Sequence, residues 1–270
     1  MKFRAKKSLG QHFLLNPTTI DSLLKKAHLS TEDQVLEIGP GPGLMTEKIA
    51  QKAKRLITVE KDHHYAEELK TKLKHLLHVT IVEGDFLSIN LEKLLESGTW
   101  KVIANLPYNI ATEVIFHLLE VSSLFSAFYL MLQKEVAERI TAVPGSKNYG
   151  ILSIFSQLIS KNHIVMRLPP GAFTPPPKVH SAVVEFLVQE TTPYDIHHLP
   201  TFESVVQAAF SQRRKMIRNG LKNVFNTMRP ENMDRALKDS GIDPQARGET
   251  LPISKLANLA NLLSAVNKVG

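Results

Sequence analysis

Two apolar periods alternate along the first two-thirds of the chain, and only one survives in the last third. Val35-Leu36-Glu37-Ile38 is a short apolar run that stops at Gly39-Pro40-Gly41-Pro42-Gly43, after which apolar residues return at helical spacing through Leu44–Ala50. Strand, glycine turn and helix in that order open a doubly wound sheet. Leu56–Val59, Val79–Val82, Lys101–Ala104 and Ser126–Leu132 predict four further strands, and His163–Leu168 and Val179–Val188 predict two more. Between them the spacing predicts helices over Gln133–Ala142 and Gly150–Ser160, with a loop at Val143–Tyr149; upstream, Asn16-Pro17 opens a helix running to about Ala27. Past Gln189–Tyr194, which carries two Thr and a Pro, the pattern is helical throughout: Leu199–Gln212, Lys215–Asn226, Pro230–Ser240 and Ile253–Val266. The expected fold class is therefore α/β, a mostly parallel, doubly wound Rossmann-like sheet over residues 1–190, followed by a small all-helical domain over residues 191–270.

Candidate chemistry collects at the carboxyl ends of the predicted strands, where open α/β sheets bind their ligands. The glycines at 39, 41 and 43 let backbone approach a ligand closely. Glu60 ends the second strand about 20 residues further on, the place of an acid that binds ribose hydroxyls. Asp85, after the third strand, is placed to accept from an adenine amino group, with Phe86 as apolar surface beside it. Together these groups predict an adenosine-bearing cofactor.

The fourth strand ends in Asn105-Leu106-Pro107-Tyr108. Pro107 has no N–H and restrains Leu106, which suits the segment poorly to continuing a ladder. The Asn105 side-chain oxygen and the Leu106 carbonyl can accept from one exocyclic amino group while Tyr108 stacks on its ring. A nicotinamide-dependent dehydrogenase would share the first units, but it needs a hydride partner and usually a proton-transfer side chain. An amide, a restrained carbonyl and an aromatic face suit an amino group better than a carbonyl substrate.

Charge and composition narrow the partners. Of 270 residues, 33 are Lys or Arg and 26 are Asp or Glu, a net charge of +7 that points to an anionic partner. Lys2, Arg4, Lys6 and Lys7 form a basic arm suited to touching phosphate. The stretch Gln212–Lys222 carries Arg213, Arg214, Lys215, Arg218 and Lys222 with no acid, and without regular aromatics it suits the backbone and shape of folded RNA better than stacked single strands. The chain has no Cys, so disulfides and thiolate chemistry are excluded. The His63-His64 and His197-His198 pairs point in different directions on a helix, and no metal site is expected. The longest apolar run, Ala127–Leu132, is strand-sized, and Gly10, Gln11 and His12 keep the charged start from leading into a long apolar segment. A soluble intracellular protein without a membrane partner is expected, monomeric because no apolar patch stands out.

One proline-rich stretch sits inside the sheet domain: Pro169–Lys178, with five prolines, precedes the last strand and is expected to present Phe173 as the second face of an aromatic clamp. Taken together, Lys7–Leu14, Glu37-Ile38-Gly39-Pro40-Gly41, Glu60, Gly84-Asp85, Asn105–Tyr108 and Phe173–Val179 resemble the ribosomal-RNA adenine dimethyltransferases, across essentially the whole chain and in order. The resemblance implies a class I methyltransferase sheet, S-adenosylmethionine as cofactor, and N6 of adenines in small-subunit 16S ribosomal RNA as acceptor, dimethylated in the cytoplasm during ribosome biogenesis. Carried over by position, it implies Asn105, Leu106, Pro107, Tyr108 and Phe173 at the target base. His12, Leu14, Gly39, Gly41, Glu60, Asp85 and Asn105 would lie at the cofactor, with His12 standing where many members have Asn. Two rivals remain: an antibiotic-resistance methyltransferase acting on large-subunit RNA, and a ribosome-assembly factor that binds RNA without turnover. The basic arm and the basic helices favour the small subunit, and an amide aimed at a methyl donor has no use in a pure binder.

Overall fold

The structure is a computed structural model that describes residues 11–267 except 97, 213 and 214. Lys6, Lys7, Arg213 and Arg214, expected at RNA, lie outside the described residues.

In chain order the elements are β1 (Phe13–Leu14), α1 (Pro17–Lys26), β2 (Gln34–Ile38), α2 (Leu44–Ala50), β3 (Arg55–Glu60), α3 (His63–Leu73), β4 (Val79–Glu83), α4 (Leu91–Leu94), β5 (Trp100–Asn105) and α5 (Ala111–Glu120). Then come β6 (Phe125–Gln133), α6 (Lys134–Ile140), α7 (Ile151–Ile159), β7 (Ser160–Leu168), β8 (Phe173–Thr174), β9 (Ser181–Val188), α8 (Leu199–Ser211), α9 (Ile217–Val224), α10 (Pro230–Asp239) and α11 (Ile253–Asn267). Seven strands form one sheet in the order β4-β3-β2-β5-β6-β9-β7, with β9 antiparallel to both its neighbours. The five parallel strands are mostly apolar runs, as strands covered on both faces by helices must be. The strand order reverses between β2 and β5, which opens a crevice at their carboxyl ends.

Local signals place the ends of the elements. The Asn16 side chain accepts from the Thr19 N–H at 3.1 Å and Pro17 occupies the first turn of α1, while Lys25 and Lys26 oppose the carbonyl end. Asp62 caps α3 by accepting from the His64 N–H at 3.1 Å.

The chain divides into two compact units, one comprising residues 1–137 and 159–190 and the other 138–158 and 191–270. The segment 138–158, which the sequence pattern leaves with the sheet, thus belongs to the helical unit. Tyr149 explains why: it is fully buried, its hydroxyl donates to the Leu251 carbonyl at 3.2 Å, and its ring meets Phe210 edge-on at 5.9 Å. Within this unit α9 crosses α8 at Gly220, where an added Cβ would lie 1.9 Å from the Ala208 carbonyl oxygen. Only a glycine admits so close a backbone approach.

A second, two-stranded pairing has no mark in the apolar pattern. β1 pairs antiparallel with β8, Phe13 opposite Thr174 and Leu14 opposite Phe173. The prolines of Pro169–Lys178 argue against laddering, yet the two residues before Pro175 keep their N–H groups and pair. Among the described residues no helix is long and apolar enough to cross a membrane.

Candidate active site

A pocket of the sheet unit sits in the crevice at the carboxyl ends of the parallel strands. His12, Gly39, Gly41, Glu60, Asp85, Asn105, Leu106 and Pro107 all line it. Leu14 instead lines a smaller, mainly apolar cavity with Gly39, Pro40, Pro42 and Met45, which also reaches Asn105. Tyr108 and Phe173 line neither.

Each polar group is held by its own chain. The Glu60 carboxylate accepts from the Gly41 N–H and the Asp62 N–H, both at 2.8 Å, so the acid at the end of β3 also shapes the glycine turn. Burial pushes its pKa up and those backbone donors work against the rise. The Lys61 N–H is a third backbone donor to it, so of the four lone pairs of the carboxylate one remains for a hydroxyl in the pocket. Asp85 accepts from the Leu87 N–H at 3.2 Å and pairs with Lys61 at 2.7 Å, which holds its carboxyl below the usual range. Gly41 has a φ of 54°, and an added Cβ would meet the Phe13 ring at 2.7 Å, so the arm lies directly on the turn.

Asn105 decides what the pocket can do. Its Nδ2 donates to the His12 carbonyl at 2.7 Å, which tethers the arm and aims Oδ1 the other way. Oδ1 and the Leu106 carbonyl take no hydrogen bond from the described residues. Two acceptors with no donor among the described residues, one after the other at a strand end, are of the type that an NH₂ group requires. Leu106 itself is anchored by its N–H to the Met131 carbonyl at 3.2 Å, and the Pro107 carbonyl accepts from the Ile110 N–H at 3.2 Å, so the turn is rigid.

Tyr108 is fixed at its hydroxyl by Ser181 at 2.6 Å, and burial raises its pKa. The His12 ring stacks on it at 5.3 Å between centroids and 28° between planes, and His12 Nδ1 donates to the Pro175 carbonyl at 2.7 Å. Phe173 departs from its expected role. Only 3% of it is exposed, because pairing with Leu14 turns its ring into the apolar core around Leu14, Met131 and Val183, and no open face remains for a clamp.

The Arg218 guanidinium grips the Asp234 carboxylate through two bonds of 2.6 Å, a fork that ties α9 to α10 and leaves three of its five N–H donors. Lys215 and Lys222 are exposed on the same stretch. His63 gathers with Glu67 and Glu83 rather than with His64, but the Lys70 ammonium already bonds both carboxylates, at 2.7 and 3.3 Å. Phe13 and Lys61 also belong to the pocket and escape sequence reasoning; the one mark of Lys61 is its place directly after Glu60.

A family model described as ribosomal RNA adenine dimethylase matches residues 2–265. The chain belongs to the ribosomal RNA adenine dimethylase family. It is 42% identical over 263 residues to the ribosomal RNA small subunit methyltransferase A of Syntrophotalea carbinolica, covering 97% of this chain and 98% of that protein. It is 39% identical over 264 residues to the protein of the same name from Caldanaerobacter subterraneus, covering 96% and 97%. Among solved structures, a dimethyladenosine transferase from Plasmodium falciparum superposes with a TM-score of 0.76 at 27% identity over 95% of this chain and 98% of that one. The 23S rRNA methyltransferase ErmE, at 24% identity and a TM-score of 0.71 over 93% and 99%, shares the fold. The sheet with its antiparallel edge is thus that of the class I rRNA methyltransferases.

Proposed function

We propose that this dimethylase transfers methyl groups from S-adenosylmethionine to N6 of adenines in small-subunit ribosomal RNA, dimethylating two adjacent adenines during ribosome biogenesis. The observation that carries the acceptor side is the pair of acceptors without a donor among the described residues, Asn105 Oδ1 and the Leu106 carbonyl. Adenine N6 is a weak nucleophile because its lone pair is delocalised into the ring. Two acceptors that each take one N–H pull the amino group toward a tetrahedral geometry and free that lone pair on the opposite side. Tyr108, immobilised through Ser181, offers the aromatic surface for a base taken out of its stack once His12 yields that face.

The cofactor side fits the donor. Glu60 suits the ribose hydroxyls and Asp85 the adenine amino group, Gly39 and Gly41 admit close backbone approach, and His12 and Leu14 close the arm over the site. When bound, S-adenosylmethionine supplies an electrophilic methyl group on sulfur, so the chain needs no strong general base. The N–H proton becomes acidic only once the nitrogen is alkylated, and water takes it.

For the RNA side, phosphate contacts fall to the arm at Lys6 and Lys7 and to Arg213, Arg214, Lys215, Arg218 and Lys222. Charge reversal at Lys215 and Lys222 is expected to weaken binding to small subunits and to flatten its salt dependence by about two ions released. An unchanged slope in filter binding across a salt series removes this stretch from the interface. The protein acts as a monomer in the cytoplasm, on a small-subunit particle.

The test is nucleoside mass spectrometry of unmethylated small subunits incubated with the protein and labelled S-adenosylmethionine. Labelled N6,N6-dimethyladenosine is the expected product. No label with tight subunit binding would favour a non-catalytic assembly factor; no label here, with label on large-subunit RNA in a parallel incubation, would replace the substrate.

A further inference from the structure

α9 carries Arg218 and Lys222 and no acid of its own, and the two cations stand four residues apart, on one strip of the helix. An acid reaches this strip from α10: Asp234 accepts from Arg218 Nε and from Nη2, both at 2.6 Å. The grip holds the Asp234 carboxyl below the usual range, and the Lys222 charge acts the same way. In net charge Arg218 and Asp234 cancel, and by that count the pair adds nothing to an RNA-binding surface.

The geometry of the fork has a different consequence. A guanidinium is planar, and it can meet an anion with two parallel N–H groups along either of two edges: Nε with Nη2, or Nη1 with Nη2. Asp234 takes the first edge. Of the three N–H donors left, one on Nη1 and one on Nη2 form the second edge, and the rigid plane points it away from the carboxylate. The pair is exposed, Arg218 by 32% of its side chain and Asp234 by 41%, and water competes for both partners, so it adds little to stability. Its main effect is order. A mobile arginine gives up the rotamers of a long side chain when it grips a phosphate, whereas Arg218 is already held.

Resting on the RNA-side reading above, we propose that Asp234 is a positioning residue for ribosomal RNA: it holds Arg218 by one edge of the guanidinium so that the other edge meets a phosphodiester. Lys222, exposed one turn further along α9, adds a point charge to the same backbone. By charge alone, removing Asp234 from this basic surface tightens RNA binding. With Asp234 as the holder of Arg218, removing it weakens binding.

Filter binding of the full chain to unmethylated small subunits across a salt series reads that sign. At about 0.15 M salt Asp234→Ala is expected to bind roughly threefold more weakly than wild type, with a salt slope shallower by up to about 0.9, the share of one phosphate contact. Asp234→Asn keeps the size of the side chain but offers one acceptor and no charge, and is expected to change in the same direction. Arg218→Gln is expected to lose at least as much, and adding Asp234→Ala to it to weaken binding no further. Unchanged or tighter binding by both Asp234 variants overturns the positioning role. So does an equal loss on removing Asp234 with and without Arg218, which would put the effect in the packing of α10 on α9. Wild-type binding to small subunits that does not change with salt overturns the RNA-side reading itself.

Discussion

Asn105→Ala is expected to lower methyl transfer by about 10²–10³-fold, the cost of removing one preorganised electrostatic contact made in the transition state. Donor binding should fall only several-fold, because what the cofactor side loses is the Nδ2 bond to the His12 carbonyl at 2.7 Å, worth about 1 kcal/mol. The two effects separate because the amide faces two ways, nitrogen to the arm and oxygen to the acceptor. Single-turnover transfer on unmethylated small subunits, alongside calorimetric binding of S-adenosylmethionine, measures each. Turnover within about threefold of wild type would remove Asn105 from the acceptor side. A loss confined to donor affinity would make it a tether and nothing more.

Glu37→Gln is expected to make the protein more stable than wild type at alkaline pH and to leave stability unchanged near pH 4. The folded-state pKa is raised from 4.5 to about 8 by burial and by the Glu60 charge. Below the lower value the carboxyl is protonated whether the chain is folded or not, and pH has no leverage through it. Between the two values the unfolded chain gives up the proton that the folded chain keeps, so wild-type stability falls as pH rises. Above about 8 both states are ionised and the penalty is constant. Its ceiling, set by the interval between the two values, is about 5 kcal/mol, and relaxation or an entering water lowers that to a few. Denaturant midpoints of both proteins from pH 5 to pH 9 give the slope directly. Parallel curves across that range would show that Glu37 is ionised in the folded and the unfolded chain throughout.

Much of the cofactor side was readable along the chain. A glycine turn, Glu60 and Asp85 each come directly after an apolar run, and a doubly wound sheet brings every such strand end to one edge, so chain order alone predicts that these residues meet. Asn105 and Leu106 were readable for the same reason, since Pro107 stops the strand and sets the carbonyl before it. Glu37 was not: alternation puts it inside the sheet, but whether an inward Glu finds a partner depends on which hydroxyls stand on β3 and α2.

Other positions turned on contacts that no local pattern contains. Phe173 and the arm meet through pairing between residues about 160 apart, and that pairing sends the Phe173 ring into the core rather than into the site. Arg218 is one of five cations in an acid-free stretch, and only the packing of α10 delivers Asp234 to it. The segment 138–158 goes with Tyr149 into the helical unit, and no sequence mark at its ends announces the crossing. What the sequence by itself determined is the order of elements and the strand ends that meet in one crevice, because periodicity, glycine and proline act within a few residues of where they stand. What only the tertiary structure decided is which charges and rings remain available, because a side chain's partner is chosen by packing between distant segments.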